Sequence, residues 1–169
     1  ASKSRGLGDV YKRQSMGACI ENLKKKNLFE SLKLSLSEKP YLGICLGLQV
    51  LFSLSEESID SEGMKIFSGK VERFTENENF KIPHMGWNQV VFKKKHFVNK
   101  NIPNSSNFYF VHSYASKELK KDNILAETTH GELFNSAVIQ DNVIGVQFHP
   151  EKSGAQGLKF LENFINWKI

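Results

Sequence analysis

Pro40-Tyr41-Leu42-Gly43-Ile44-Cys45-Leu46-Gly47-Leu48-Gln49 is the stretch from which the rest of the chain is read. Tyr41 to Ile44 is a short apolar run of the kind that forms a buried strand. It ends at Cys45, between Gly43 and Gly47, and the apolar residues beyond it (Leu48, Val50, Leu51, Phe52, Leu54) follow a helical period. A strand that turns sharply into a helix holds the residue at the turn in a strained, exposed position, and flanking glycines allow the close backbone approach. The side chain then faces the first N–H groups of the helix, where a thiol pKa is lowered and an oxyanion is bound. That setting suits a cysteine nucleophile. A lone cysteine is also commonly a packed structural residue, and the stretch by itself leaves both readings open.

With 169 residues the chain is long enough for one domain with a substantial core. Its two cysteines, Cys19 and Cys45, form no disulfide framework and point to a reducing compartment. No apolar run reaches the roughly 20 residues of a membrane span, and no signal-peptide apolar region is visible. The expectation is a cytoplasmic protein with no membrane partner. The net charge of +5 gathers partly at Lys24–Lys26, Lys93–Lys95 and Lys120–Lys121. No aromatic residues interleave with these lysines, so they read as solvated faces and not as a nucleic-acid site.

Residues 1–14 show no periodicity. Asp9-Val10-Tyr11-Lys12-Arg13-Gln14 resembles the translation of a transposon end used in preparing sequencing libraries. They are expected to be a foreign leader, with a single domain over 15–169. From Met16 the pattern is helical, with Met16, Cys19, Ile20 and Leu23 on one face, and a second short helix carries Leu28 to Leu36. Gly63 to Phe74 reads as a strand-rich connector. Ile82-Pro83-His84-Met85-Gly86-Trp87-Asn88 reads as a compact turn before a strand at Gln89–Phe92. Phe108 to Tyr114 is a strong strand signal. Strands are also expected at Ile124–Thr128, Ala137–Gln140 and Val143–Phe148. A final amphipathic helix at Gln156–Lys168 is expected to turn Leu158, Leu161, Phe164 and Ile165 inward.

The last strand runs into His149-Pro150-Glu151. A thiol nucleophile needs a base that takes its proton and later returns it, and histidine titrates in the right range. A carboxylate that accepts from the imidazole fixes its tautomer. Pro150 biases His149 toward an extended conformation, in which His149 and Glu151 point to the same side. A His-Pro-Glu triplet is weak evidence alone. Joined to a glycine-flanked cysteine at the end of an earlier strand, it becomes strong.

At this point the chain resembles a known family. Gly43-Ile44-Cys45-Leu46-Gly47-Leu48-Gln49 is similar to the nucleophile motif of class I, triad-type glutamine amidotransferases, and His149-Pro150-Glu151 to their catalytic pair. Pro83–Asn88, Tyr109–Tyr114 and Gln147-Phe148-His149-Pro150-Glu151-Lys152-Ser153 narrow the likeness to the glutaminase subunits of imidazole glycerol phosphate synthases. The resemblance covers about Ser15 to Ile169. It implies an α/β fold, a flavodoxin-like mixed sheet flanked by helices, and a function as a glutaminase in histidine biosynthesis. On that resemblance Cys45 attacks L-glutamine, His149 is base and then acid, and Glu151 orients His149. The Leu46 N–H donates to the oxyanion, and Gln49, Glu57, His112, Ser113 and Tyr114 form the glutamine pocket. Trp87, Tyr109 and Lys152 align with the face that docks on the cyclase barrel subunit, which receives the ammonia. No cofactor and no metal are expected.

The chain departs from the family at its start. The family's opening strand–helix–strand region and a Pro-Gly-Val-Gly-like loop precede the point matched by Ser15-Met16-Gly17-Ala18. The expectation is therefore an incomplete oxyanion region, an unpaired edge beside Tyr41–Cys45, and a chain that is weakly stable and weakly active as written. Bland readings stand beside the sharp ones: Gln49 as a helix surface residue, Tyr114 as strand-end packing. Other functions compatible with the same motifs are the glutaminase of an anthranilate or pyridoxal-phosphate synthase, a non-catalytic binding relative, and a cysteine hydrolase.

Overall fold

The apolar run Tyr41–Ile44 forms strand β1 and lies parallel to the strand Val143–Val146, with Tyr41 opposite Val143 and Ile44 opposite Val146. These contacts come from a computed structural model that describes residues 15–169; the expected leader at 1–14 lies outside the described residues. Two helices precede β1, α1 at Met16–Lys25 and α2 at Phe29–Ser35. Ser15 caps α1 by accepting the Ala18 N–H, and Met16 and Ile20 bury the face expected of it. After β1 come a one-turn helix α3 (Leu46–Gln49), β2 (Phe52–Ser55) and β3 (Phe67–Arg73). Strands β4 (His84–Phe92), β5 (Ser106–His112), β6 (Tyr114–Ser116), β7 (Ile124–His130), β8 (Glu132–Gln140) and β9 (Val143–Val146) follow, and helix α4 (Gly154–Asn166) closes the chain.

Six strands form one mixed sheet in the order β1-β9-β8-β7-β4-β5, in which only β1 and β9 run parallel. The other three form a smaller sheet, β2-β3-β6. Among the described residues β1 is an edge strand, as expected. The larger apolar cluster joins Phe108, Phe110, Phe134, Phe148 and Phe160, and packs α4 against the main sheet. Burying each phenylalanine contributes roughly 1.5–3 kcal/mol before chain entropy is counted. A second cluster, with Leu48, Leu51, Phe52, Phe67 and Val138, fills the space between the two sheets.

Several elements differ from expectation. The helix after Cys45 is a single turn, and Phe52–Ser55 is a strand. The apolar residues there fit both periods; parallel pairing with β3 and the packing of Phe52 on Phe67 decide for the strand, leaving Leu54 exposed. The stretch expected as a compact turn at Ile82–Asn88 is strand from His84 onward, paired with β5 from His84 opposite His112 to Val90 opposite Ser106. Phe108–Tyr114 is not one strand. It leaves the main sheet at His112 and enters the small sheet at Tyr114, with Ser113 at the crossing. On α4 the buried positions are Gly157, Phe160 and Asn163, while Leu158 and Ile165 are exposed. A Cβ at residue 157 would stand 2.0 Å from the Pro150 carbonyl oxygen, and Asn163 donates to the carbonyls of Val98 and Lys100. Phe164 packs against the larger cluster as expected and Leu161 is half-buried, but a glycine and an asparagine on the inner face carry no apolar signal, so the sequence pattern places only part of that face.

Candidate active site

Because β1 and β9 are parallel neighbours, the residues that leave their carboxyl ends emerge side by side. Cys45 follows β1 and its N–H donates to the Val146 carbonyl at 2.7 Å, one step beyond the last register pair. His149 follows β9 three residues later, and its N–H donates to the Tyr109 carbonyl at 2.8 Å. Two residues far apart in sequence are thus brought together by two adjacent strand ends, the position at which α/β sheets commonly place their ligands.

Cys45 has φ 51° and ψ −101°, a strained conformation for a residue with a side chain. Gly43 makes that turn possible, since a Cβ there would lie 2.2 Å from the Gly47 carbonyl oxygen. The sulfur is 3.9 Å from the Val111 carbonyl oxygen and 3.6 Å from Gln147 Nε2. Burial pushes the Cys45 thiol up to about 11; the N–H groups of Leu46 and Gln147 oppose the rise, and the charges of Glu151 and Glu57 add to it. The expected lowering at the helix start is therefore not found. A single helical turn carries little dipole, and desolvation outweighs two hydrogen bonds.

His149 Nδ1 and Glu151 Oε1 are 2.6 Å apart. The ring therefore donates from Nδ1, which leaves Nε2 as the acceptor nitrogen, and Nε2 is buried without a hydrogen-bond partner. His149 itself is extended (φ −102°, ψ 94°), as Pro150 was expected to make it, and the two side chains meet although Pro150–Lys152 continues as a 3-10 turn and not as an extended segment. Ser153 holds the turn: its hydroxyl donates to the His149 carbonyl and accepts the Tyr109 N–H.

A cavity of about 460 Å³ opens over the two strand ends, and Cys45, Leu46, Gln49, Glu57, His112, Ser113, Tyr114, His149 and Lys152 line it with Ile44, Pro83, Met85 and Val111. Gln49 is buried and donates from Nε2 to the Tyr114 carbonyl at 3.1 Å, so it is no helix surface residue. Glu57 accepts the Met16 N–H at 3.3 Å, and burial raises its pKa. Glu151 stands behind His149 and does not line the cavity. Trp87 and Tyr109 lie outside it too, edge to face at 6.1 Å on the outer face of the β4–β5 pair. Among the described residues no cluster of three or more His, Cys, Asp or Glu side chains is placed to hold a metal ion.

Three polar residues to which the motifs assign no role also stand close to this region: His84 and Asn88 in a chain of contacts to His112, and Gln147 against the Cys45 sulfur. His112 Nδ1 lies 2.9 Å from the Tyr114 carbonyl and His112 Nε2 lies 2.9 Å from His84 Nδ1. Asn88 Nδ2 is 3.1 Å from His84 Nε2 and donates to the Thr129 carbonyl. A carbonyl only accepts, so His112 is protonated at Nδ1, its Nε2 accepts from His84 Nδ1, and His84 Nε2 accepts from Asn88. Both rings are neutral: burial first, then neighbouring histidine charge, lowers His84 to about 3, and burial lowers His112 to about 4. The sequence signal for the pair is the strand pairing of His84 with His112, which is invisible until β4 is known to start at His84.

Glutamine amidotransferase class-I is the family whose model matches this chain, over residues 4–167, and the chain belongs to that family. Within it the chain falls among the HisH subunits of imidazole glycerol phosphate synthase. It is 43% identical over 152 residues to the subunit of Hydrogenovibrio crunogenus, a match covering 89% of this chain and 71% of that protein. It is 42% identical over 159 residues to that of Neisseria meningitidis, covering 90% and 74%. Among solved structures, a glutamine amidotransferase superposes with a TM-score of 0.64 at 17% identity, over 89% of this chain and 75% of the other. A glutamine amidotransferase of Thermotoga maritima gives 0.56 at 20% identity, over 87% and 56%. These last two bear on the fold, which is the mixed α/β fold of the class.

Proposed function

We propose that this chain is the glutaminase subunit of an imidazole glycerol phosphate synthase, hydrolysing L-glutamine through Cys45, His149 and Glu151 and delivering ammonia to a cyclase subunit in histidine biosynthesis. The observation that carries the reading is the convergence of Cys45 and His149 at two register-paired strand ends, over one cavity of about 460 Å³.

The chemistry follows from the protonation states. With the thiol pushed up to about 11, Cys45 holds its proton at neutral pH and needs a base. His149 Nε2 is the free acceptor, and Glu151 both fixes that tautomer and stabilises the imidazolium that forms. The Cys45 proton passes to Nε2, and the thiolate attacks the side-chain amide carbon. The resulting oxyanion is met by the Leu46 N–H. Collapse expels the amine, which takes the proton from His149 and leaves as ammonia. Water, deprotonated by the same nitrogen, then hydrolyses the glutamyl thioester to glutamate and restores the thiol. On this reading Gln49 and Tyr114, tied by their 3.1 Å hydrogen bond, bind glutamine together with Glu57, Ser113 and His112; that all five line the cavity supports it.

The partner face is the outer side of β4 and β5, where Met85 and Trp87 are 61% and 59% exposed beside Tyr109 and Lys152. Large exposed apolar side chains next to a cavity suit a docking surface through which ammonia is handed on. No described helix is long and apolar enough to cross a membrane, in keeping with a cytoplasmic biosynthetic role. The test is glutaminase turnover measured with the cyclase subunit of imidazole glycerol phosphate synthase, and separately with the synthase partners of the anthranilate and pyridoxal-phosphate systems. Stimulation by the cyclase and by neither of the others is the expected result; stimulation by another partner overturns the assignment.

A further inference from the structure

Gln147 is fully buried between Val146 and Phe148, both equally buried, and it occupies the position after β9 that Cys45 occupies after β1. Its N–H donates to the Ser136 carbonyl at 2.9 Å, which fixes the backbone. The side-chain amide makes one hydrogen bond, from Nε2 to the Cys45 sulfur at 3.6 Å, and Oε1 has no partner. A buried amide that serves only the architecture is normally satisfied at both ends, because each unpaired polar atom weakens the fold. Here an apolar side chain of the same length fills the space at no loss of hydrogen bonding except the one to sulfur. The amide is therefore held against stability at an atom on which negative charge forms in the reaction, the Cys45 sulfur.

We propose that Gln147 is a further catalytic residue, its Nε2–H donating to the Cys45 sulfur as the thiolate forms. The inference rests on Cys45 being the nucleophile. Sulfur that has lost its proton to His149 carries a full charge in a desolvated pocket, and a pre-placed N–H there stabilises it with no reorganisation. When the thioester has formed, the charge is gone and the same N–H is a weak contact, so the stabilisation is confined to the charged states of the cycle.

The two roles an amide can have here predict opposite results for Gln147→Met. The test is the rate of Cys45 alkylation by iodoacetamide in the full chain, followed against pH by peptide mass spectrometry, with Cys19 as the internal reference and thermal unfolding measured alongside. The expected result is Cys45 alkylation at pH 7.5 slowed roughly three- to tenfold, as raising a thiol pKa by about half to one unit requires, with Cys19 unchanged and the melting temperature equal or higher. Gln147→Glu, which keeps the shape and exchanges the donor for an acceptor, shifts the profile further in the same direction and serves if the methionine variant does not fold. An unchanged Cys45 profile in either variant overturns the proposal, as does a slowed profile accompanied by an equal change at Cys19. A Cys45→Ser variant that keeps its glutaminase activity instead removes the nucleophile assignment on which the proposal stands, a result that the alkylation profiles do not mimic.

Discussion

The Cys45 thiol and the His149 ring divide one proton between a half-buried sulfur and a nitrogen whose other side is already committed. Burial holds the sulfur protonated, and the 2.6 Å contact with Glu151 keeps Nε2 bare to receive that proton. Removing the nucleophile, Cys45→Ala, is expected to lower glutaminase turnover by roughly three orders of magnitude or more. Glu151→Gln leaves both reacting groups in place and frees the tautomer, so kcat in the assembled enzyme is expected to fall roughly 10²–10⁴-fold with little change in KM. Steady-state kinetics with the cyclase subunit bound checks both; a Glu151→Gln enzyme of normal kcat, or one changed only in KM, contradicts the orienting role.

Among the elements, the β1–α3 turn and the β4–β5 pairing do the positioning. The turn depends on Gly43, and Gly43→Ala forces a methyl group against a backbone carbonyl 2.2 Å away. That variant is expected to lose on the order of 3 kcal/mol or more of stability in denaturant titration; an unaltered midpoint would show that the close approach is not needed. The pairing of β4 with β5 puts His84 against His112, each protonated less readily in the folded chain than in the unfolded one. As pH falls below about 6.5 the unfolded chain takes up these protons first. The contribution of the pair is complete above that pH and is lost toward about 4 for His112 and about 3 for His84. By pH 5 each ring is expected to have withdrawn about 2 kcal/mol from stability. Replacing His84 with Phe should flatten that part of the pH–stability curve, measured by unfolding between about pH 4.5 and 7.5.

Over the whole molecule, the chain passes repeatedly between two sheets, and the cavity forms where its passage at Ser113 meets the ends of β1 and β9. Met85 stands at its rim and the exposed Trp87 just outside it. Trp87→Ala is expected to weaken binding of the cyclase subunit roughly tenfold or more, read by titration of the two subunits. What was legible in the sequence follows from locality. The strand–turn at Tyr41–Cys45 and the His149-Pro150-Glu151 triplet are local signals, and both stand where they were expected. The switch from helix to strand at Phe52 was not legible, because pairing with β3 decides it. Part of the inner face of α4 was hidden in a glycine and an asparagine, and the depth of the Cys45 pocket, which reverses the expected thiol shift, belongs to the tertiary fold alone.

That Cys45 is the residue that reacts with glutamine is tested most directly by peptide-resolved mass spectrometry after treatment with an electrophilic glutamine analogue, with and without competing L-glutamine. The predicted result is a single adduct on Cys45, suppressed by glutamine, with Cys19 unmodified. An adduct shared equally with Cys19, or one on Cys45 that glutamine does not suppress, would contradict it.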